Sequence, residues 1–406
     1  MIGIAILLGA FFFLYITNPL IIIVHELGHA LAFLSLTKPQ NIDIYVGSYG
    51  DKGKYFQFRI GKLHFFIRRS FGLFKGKGLC VSSELERNYL KQIIILLAGP
   101  VVTVITAAIV GLVVLNSDAH GAIKLYCFAF VVFSCISLFT NLLPRSHMIG
   151  QHVLDSDGRQ IAIALKLRSN WSNYVDGISL FNKGVYSDAL AKLEPAFSSM
   201  PRNQNIIQLM LVTSINAKKY EDADRYSAHL EANFGHSVGD IFKKGYIKSL
   251  LNKSEDAIKC FKEVLKVDEN HFDALSFLGI ELINIGDVHQ AEKVLEKAIS
   301  ADAENYRAFG FLGYLQLIKE DLPASKANID SCIQSSTRFG PAYDFLTLYY
   351  LKSGDLNEAK NSLKFACEFG YITQADKFGD RCNLSKYQSE VLREAVIDVQ
   401  HLLRVN

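Results

Sequence analysis

Charge is scarce in the first third of this 406-residue chain. Residues 2–36 contain one charged side chain, Glu26, and residues 92–115 and 125–143 contain none. Segments this apolar and this long match the thickness of a bilayer core. Asn18-Pro19 interrupts the first of them, because proline lacks a backbone donor and disfavours helix in the residue before it. One kinked helix and two elements joined at Pro19 are both open. The chain also lacks a Cys-x-x-Cys pair, and its seven cysteines are an odd number, which fits a reducing compartment for the soluble part. The net charge of +3, with no Lys/Arg tract interleaved with aromatics, disfavours nucleic acid as a partner. No basic stretch or small-residue cleavage signal flanks the apolar N-terminal run, so it reads as retained membrane structure rather than a removed signal. The stretch from Gly72 to Gly78 lacks the spacing and the hydroxyl of a phosphate loop.

What is present sorts by side. Eleven Lys and Arg lie between Lys38 and Lys91, and this excess predicts a cytoplasmic face. The loop of residues 116–120 is short and acidic, as the opposite face requires, so the chain beyond residue 144 is expected back in the cytoplasm. Within the basic stretch, residues 42–46 and 55–67 alternate apolar with polar side chains and are separated by glycines, predicting a β-hairpin at the membrane surface.

From residue 170 onward the organisation changes. Ala189, Ala223, Ala257, Ala291, Ser325 and Ala359 follow one another at thirty-four positions, and Gly177, Gly245, Gly279 and Gly313 stand twelve positions before their partners in that series. Leu211 takes the glycine's place in the second unit. These residues resemble the tetratricopeptide repeat, a thirty-four-residue helix-turn-helix, over six units from about 170 to 372. The resemblance implies an α-solenoid that binds a protein or peptide partner, with residues 373–406 as a capping segment. A scaffold that only orders or oligomerises the membrane part is the alternative.

The chemistry concentrates at His25-Glu26-Leu27-Gly28-His29. On a helix, residues four apart share a face, so two imidazoles can meet one metal ion with the glutamate beside it. Two neutral nitrogens, a third protein ligand and an open position for water make a hydrolytic zinc site. An ionisable cluster inside an apolar span is functional by default. Candidates for the third ligand beyond the last apolar segment are His147, His152, Asp155 and Asp157.

His25-Glu26-Leu27-Gly28-His29-Ala30 in an apolar helix, Ala98-Gly99-Pro100, Asn141-Leu142-Leu143-Pro144 and Ser156-Asp157-Gly158 together resemble the site-2 protease family of intramembrane zinc metalloproteases, over residues 15–165. The resemblance implies His25, His29 and Asp157 as Zn²⁺ ligands and Glu26 as general base. Asn141 becomes either a substrate contact or a helix-end cap. The spacer between Pro144 and Asp157 is longer than the family's commonest pattern, leaving Asp155 as a substitute for Asp157; His147 and His152 read as interfacial polar residues.

The expected architecture is therefore mainly α: a multi-pass helical membrane domain with a small β insertion (residues 1–165), a repeat solenoid (170–372) and a cap (373–406). The expected function is cleavage of a membrane protein or peptide, in a bacterial inner membrane, with the repeats cytoplasmic. Rival readings are a membrane-tethered repeat adaptor with a vestigial metal site and a zinc hydrolase of lipids or small molecules.

Overall fold

The computed structural model describes residues 2–48, 55–68, 78–82, 86–118, 121–149, 152–235, 237–368, 371 and 373–405. It divides into two compact units, Met1–Lys218 and Lys219–Asn406.

In the first unit, α1 (Ile2–Leu36) is one helix that continues through Pro19. It is followed by β1 (Ile42–Val46), β2 (Tyr55–Ile60), β3 (Leu63–Arg68) and β4 (Gly78–Ser82), then by α2 (Tyr89–Leu115) and α3 (Gly121–Leu142). Three helical segments, Thr17–Leu36, Tyr89–Leu115 and Ile123–Leu142, are long and apolar enough to cross a membrane. Much of their apolar surface faces outward: Leu112, Val113, Leu125, Phe128 and Phe139 are all exposed, which in a water-soluble bundle would be costly.

The β region differs from a simple hairpin over 42–67. Its order is β2-β3-β1-β4, with β2 and β3 forming the antiparallel hairpin, β1 parallel to β3, and β4 antiparallel to β1. Two tandem alternating strands can pair as neighbours or through an intervening partner, and alternation specifies the buried face rather than the partner. Ile42, Ile44 and Val46 are fully buried in the core shared with α1 and α2, whereas β2 exposes Phe56 and Ile60. Stacked cross-strand pairs, Tyr45 on Phe66 and Phe58 on Phe65, each with ring centroids 4.6 Å apart, tie the three strands together.

After α3 come β5 (Ser146–Ile149) and β6 (His152–Asp155), an antiparallel pair with Ser146 opposite Asp155, and then α4 (Asp157–Lys166). The helices α5 (Trp171–Asn182), α6 (Tyr186–Ser199) and α7 (Gln204–Asn216) complete the unit. They are fastened to it: the Trp171 Nε1–H donates to the Glu86 carbonyl at 3.0 Å, and Arg87 pairs with Asp176 at 2.7 Å.

The second unit begins with α8 (Tyr220–Phe234). It continues as helix pairs α9 (Val238–Leu250) and α10 (Ser254–Val267), α11 (Phe272–Ile285) and α12 (Val288–Ala301), α13 (Tyr306–Ile318) and α14 (Leu322–Ser335), and α15 (Gly340–Ser353) and α16 (Leu356–Glu368). It ends with α17 (Ala375–Gly379) and α18 (Lys386–Val405). The thirty-four-residue period has a physical basis at three places in each of the first three pairs. Ala257, Ala291 and Ser325 are fully buried where the two helices meet. Gly279 gives the closest approach, since a Cβ there would meet Leu295 at 2.4 Å. Ser237, His271 and Asn305 cap the first helices by accepting from the N–H groups of Asp240, Ala274 and Ala308, an arrangement worth ~1 kcal/mol per helix.

Each pair also turns on one left-handed residue: Asn252 (φ 57°), Gly286 (φ 89°), Glu320 (φ 64°) and Gly354 (φ 88°). The apolar faces of successive pairs merge into one core that also takes in Ala375, Cys382, Leu392 and Val396 from the C-terminal segment.

Candidate metal centre

His25 and His29 lie one turn apart on α1, and their Nε2 atoms are 3.2 Å from each other. The Oδ2 atom of Asp157 lies 3.1 Å from His25 Nε2 and 3.5 Å from His29 Nε2. Three ligand atoms bound tetrahedrally to one zinc ion at ~2.0–2.1 Å would stand about 3.3 Å apart. The group could thus hold a metal ion with little rearrangement.

The proton inventory agrees with that fit. His29 Nδ1 lies 2.7 Å from the carbonyl of Ile95, which can only accept. Nδ1 therefore carries a ring proton, which leaves Nε2, facing Asp157 and His25, as the nitrogen able to ligate a metal. A carbonyl partner on the far nitrogen is also what orients and fixes the tautomer of a metal-binding histidine. His29 Nε2 and Asp157 Oδ2 stand 3.5 Å apart, a separation that one shared cation would bridge. The opposite nitrogen of His25, Nδ1, is buried without a hydrogen-bond partner among the described residues.

Local sequence explains how each ligand arrives. Gly28 lets α1 approach α2 until a Cβ would meet the carbonyl of Ala98 at 2.6 Å. Gly99 in turn leaves room for the His29 ring, since a Cβ there would lie 2.4 Å from Nε2. Pro100 continues α2 but offers no N–H to the preceding turn.

Asp157 opens α4, capped by Ser156, whose Oγ accepts from the Arg159 N–H at 3.2 Å and donates to the Leu143 carbonyl at 2.7 Å. The long spacer after Pro144 is the β5–β6 hairpin. Its ends are pinned together by the Ser156 N–H donating to the Arg145 carbonyl at 2.9 Å, so Asp157 returns to the end of α3. Gly158 packs directly on the Leu142 carbonyl.

Asp155 does not join the group. Its carboxylate accepts from Ser146 Oγ at 2.5 Å and from Asn205 Nδ2 at 2.8 Å. The backbones of His147 and His152 lie in the hairpin, and their side chains fall outside the described residues.

Glu26, 7% exposed like His25, lines the same cavity of about 720 Å³ as the three candidate ligands. Asn141 also lines it, with its Nδ2 donating to Ser137 Oγ at 3.1 Å. Sequence reasoning missed the other walls: Gly78, Leu79 and Cys80 of β4, Trp171 and Tyr174 of α5, and Asn205 of α7. The signal available for β4 was only five residues long, and α5 and α7 were assigned to the repeats.

Burial pushes the Asp157 carboxyl up, but its bonds to His25 and His29 outweigh that and hold it well below the usual carboxylate range. Burial, with the charges of Glu26, Asp43 and Asp157, pushes the Cys80 thiol up, so it stays protonated. Burial, with the charge of Asp155, pushes the Tyr174 hydroxyl up to about 12.

Residues 241–271 and 272–305 match the tetratricopeptide repeat family model. These two units are tetratricopeptide repeats. No site-2 protease family model matches the chain, and no curated protein matches it. Among solved structures, the chain is similar to a tetratricopeptide repeat protein from Parabacteroides merdae, at 14% identity over 57% of this chain and 99% of that one, TM-score 0.40. It is similar to MamA from Desulfovibrio magneticus, at 20% identity over 41% of this chain and 94% of that one, TM-score 0.33. It is also similar to YrrB, a repeat protein with an unusual peptide-binding site, at 16% identity over 45% of this chain and 95% of that one, TM-score 0.35.

Proposed function

We propose that the chain is an intramembrane zinc metalloprotease that cleaves peptide bonds within or beside a bilayer, and that its tetratricopeptide repeats bind a protein substrate or regulator. The observation that carries the first half is the meeting of His25 Nε2, His29 Nε2 and Asp157 Oδ2 at 3.1–3.5 Å beside Glu26. The repeat match carries the second, since tetratricopeptide domains bind proteins and peptides.

His25, His29 and Asp157 would hold a zinc ion, whose contribution would be a water of lowered pKa and polarisation of the scissile carbonyl. Glu26, within electrostatic reach of all three, takes the proton from the attacking water and passes it to the leaving amine. His29 is kept in the ligating tautomer by the Ile95 carbonyl.

A substrate helix must unwind first, because its carbonyls are otherwise paired. The strand that lines the cavity is β4, an edge of the sheet, rather than the β2–β3 hairpin at the other edge. The unwound segment adds to β4 by strand pairing, which presents its backbone to Glu26, while the exposed Phe56 and Ile60 of β2 rest on the membrane surface. The basic stretch before α2 argues for a cytoplasmic repeat domain.

The test is capture of membrane substrates with the Glu26→Gln variant. Cleavage by that variant at the parent's rate would refute the assigned base. The alternative, a membrane-tethered adaptor, is favoured by the repeat match, and absence of bound zinc in protein purified without chelators would support it.

A further inference from the structure

A segment that merely caps a repeat array packs on the last helix pair, and α18 does so, lying against α15 and α16. The preceding residues, 371 and 373 to 384, behave differently. They run back along the face formed by the first helices of successive repeats. Lys377 Nζ donates to the Asn252 side chain at 2.6 Å, at the turn after α9. Arg381 donates to the carbonyls of Ile283, at 3.1 Å, and Asn284, at the end of α11. The Tyr314 hydroxyl of α13 donates to the Phe378 carbonyl at 2.9 Å. The Phe378 ring lies edge-on to Tyr314 and Phe345, with centroids 5.2 and 5.0 Å away, between α13 and α15. Four consecutive repeats are thus contacted by one short strap.

The recognition chemistry is specific. Lys377 and Arg381, four apart, project toward acceptors exposed where first helices end, and a helix C-terminus carries partial negative charge that favours cations. Phe378 fills an aromatic slot between two of those helices. The face of a repeat array formed by its first helices is the kind of surface that binds extended segments, and here a segment of the same chain binds to it.

We infer that the first-helix face of the repeats is a binding site for a partner segment carrying an aromatic residue flanked by basic ones, and that the strap around Phe378 occupies this site until such a partner displaces it. A tethered ligand competes at an effective concentration in the millimolar range, so an outside partner must bind well or arrive when the strap is loosened. The inference concerns the repeats alone and holds whether or not the metal site is a protease.

The test uses the full chain in detergent and a fluorescent synthetic peptide of residues 371–384, read by anisotropy. The parent should bind it weakly. A Phe378→Ala, Arg381→Ala double variant, whose own strap is loosened, should bind it at least ten-fold tighter, and a peptide carrying the same two substitutions should not bind. Equal binding to parent and variant, or equal binding of the substituted peptide, would overturn the inference.

Hydrogen exchange on the parent covers the case in which the double variant loses its helical signal. The amides of residues 373–384 should exchange while those of α11, α13 and α15 stay protected. Exchange of the strap only together with those helices would make it fixed structure and end the proposal.

Discussion

Gly78 and Glu26 touch: a Cβ on Gly78 would stand 2.3 Å from Glu26 Oε1. The glutamate carboxylate is therefore seated against the bare backbone of β4. Gly78→Ala displaces the end of a side chain rather than a backbone, so folding should survive. Glu26 should lose its placement, and general acid–base catalysis is worth ~10²–10⁴-fold. Peptidase turnover of the variant is expected to fall at least ten-fold with zinc content and thermal melting unchanged; unchanged turnover would show that Gly78 does not set the placement of Glu26.

Zinc content should follow the three ligands. Elemental analysis of the purified parent is expected to give about one zinc per chain, with His25→Ala, His29→Ala and Asp157→Ala each reducing it strongly and Glu26→Gln and Asp155→Asn leaving it in place. Gly158→Ala should lose zinc as well and also lower the melting temperature, because its Cβ would meet the Leu142 carbonyl at 1.9 Å and backbone must move. Retention of zinc by Asp157→Ala together with its loss from Asp155→Asn would reverse the assignment of the third ligand.

Asp344 makes stability depend on pH in an unusual direction. It is fully buried, accepting from Thr373 at 2.6 Å, Tyr371 at 2.8 Å and the Gln374 N–H at 3.0 Å. Burial pushes its carboxyl up to about 7 from 3.8, against the pull of those donors. The folded chain then holds a proton that the unfolded chain has released. Its contribution is full below pH 3.8, declines as pH rises, and is lost above about 7. Each unit of difference is worth roughly 1.4 kcal/mol. Denaturant titrations of the parent and of Asp344→Asn should show the downward slope between these pH values in the parent alone.

Glu320 holds a left-handed turn (φ 64°) at the position where Gly286 and Gly354 stand in neighbouring repeats. A side chain there costs ~1–2 kcal/mol, partly offset by the greater chain entropy glycine loses on folding. Glu320→Gly is expected to stabilise the repeats by roughly 0.5–1 kcal/mol, the weak pairing of the exposed Glu320 carboxylate with Lys352 contributing little. A lowered denaturant midpoint would contradict this.

The sequence carried its local and periodic information well. Helical spacing alone put His25 and His29 on one face, and the thirty-four-residue recurrence located the helix pairs because each repeat needs a small residue at the same crossing. Asp157 was reached through resemblance, since nothing in its spacing tells it from Asp155; the difference is that Asp155 is engaged by Ser146 and Asn205. Non-local pairing was not legible. The insertion of β3 between β1 and β2 depends on which edges meet, and β4 was too short to stand out. The strap was read as a cap because its partners lie up to 125 residues away, as Lys377 does from Asn252.

The β5–β6 pair has a consequence for how this kind of site varies between proteins. Its two ends are stitched at Arg145 and Ser156, so residues added or removed at its tip leave the carboxylate where it is. Linear distance from Pro144 to the aspartate is then a free variable, and a search keyed to fixed spacing would pass over chains whose chemistry is unchanged.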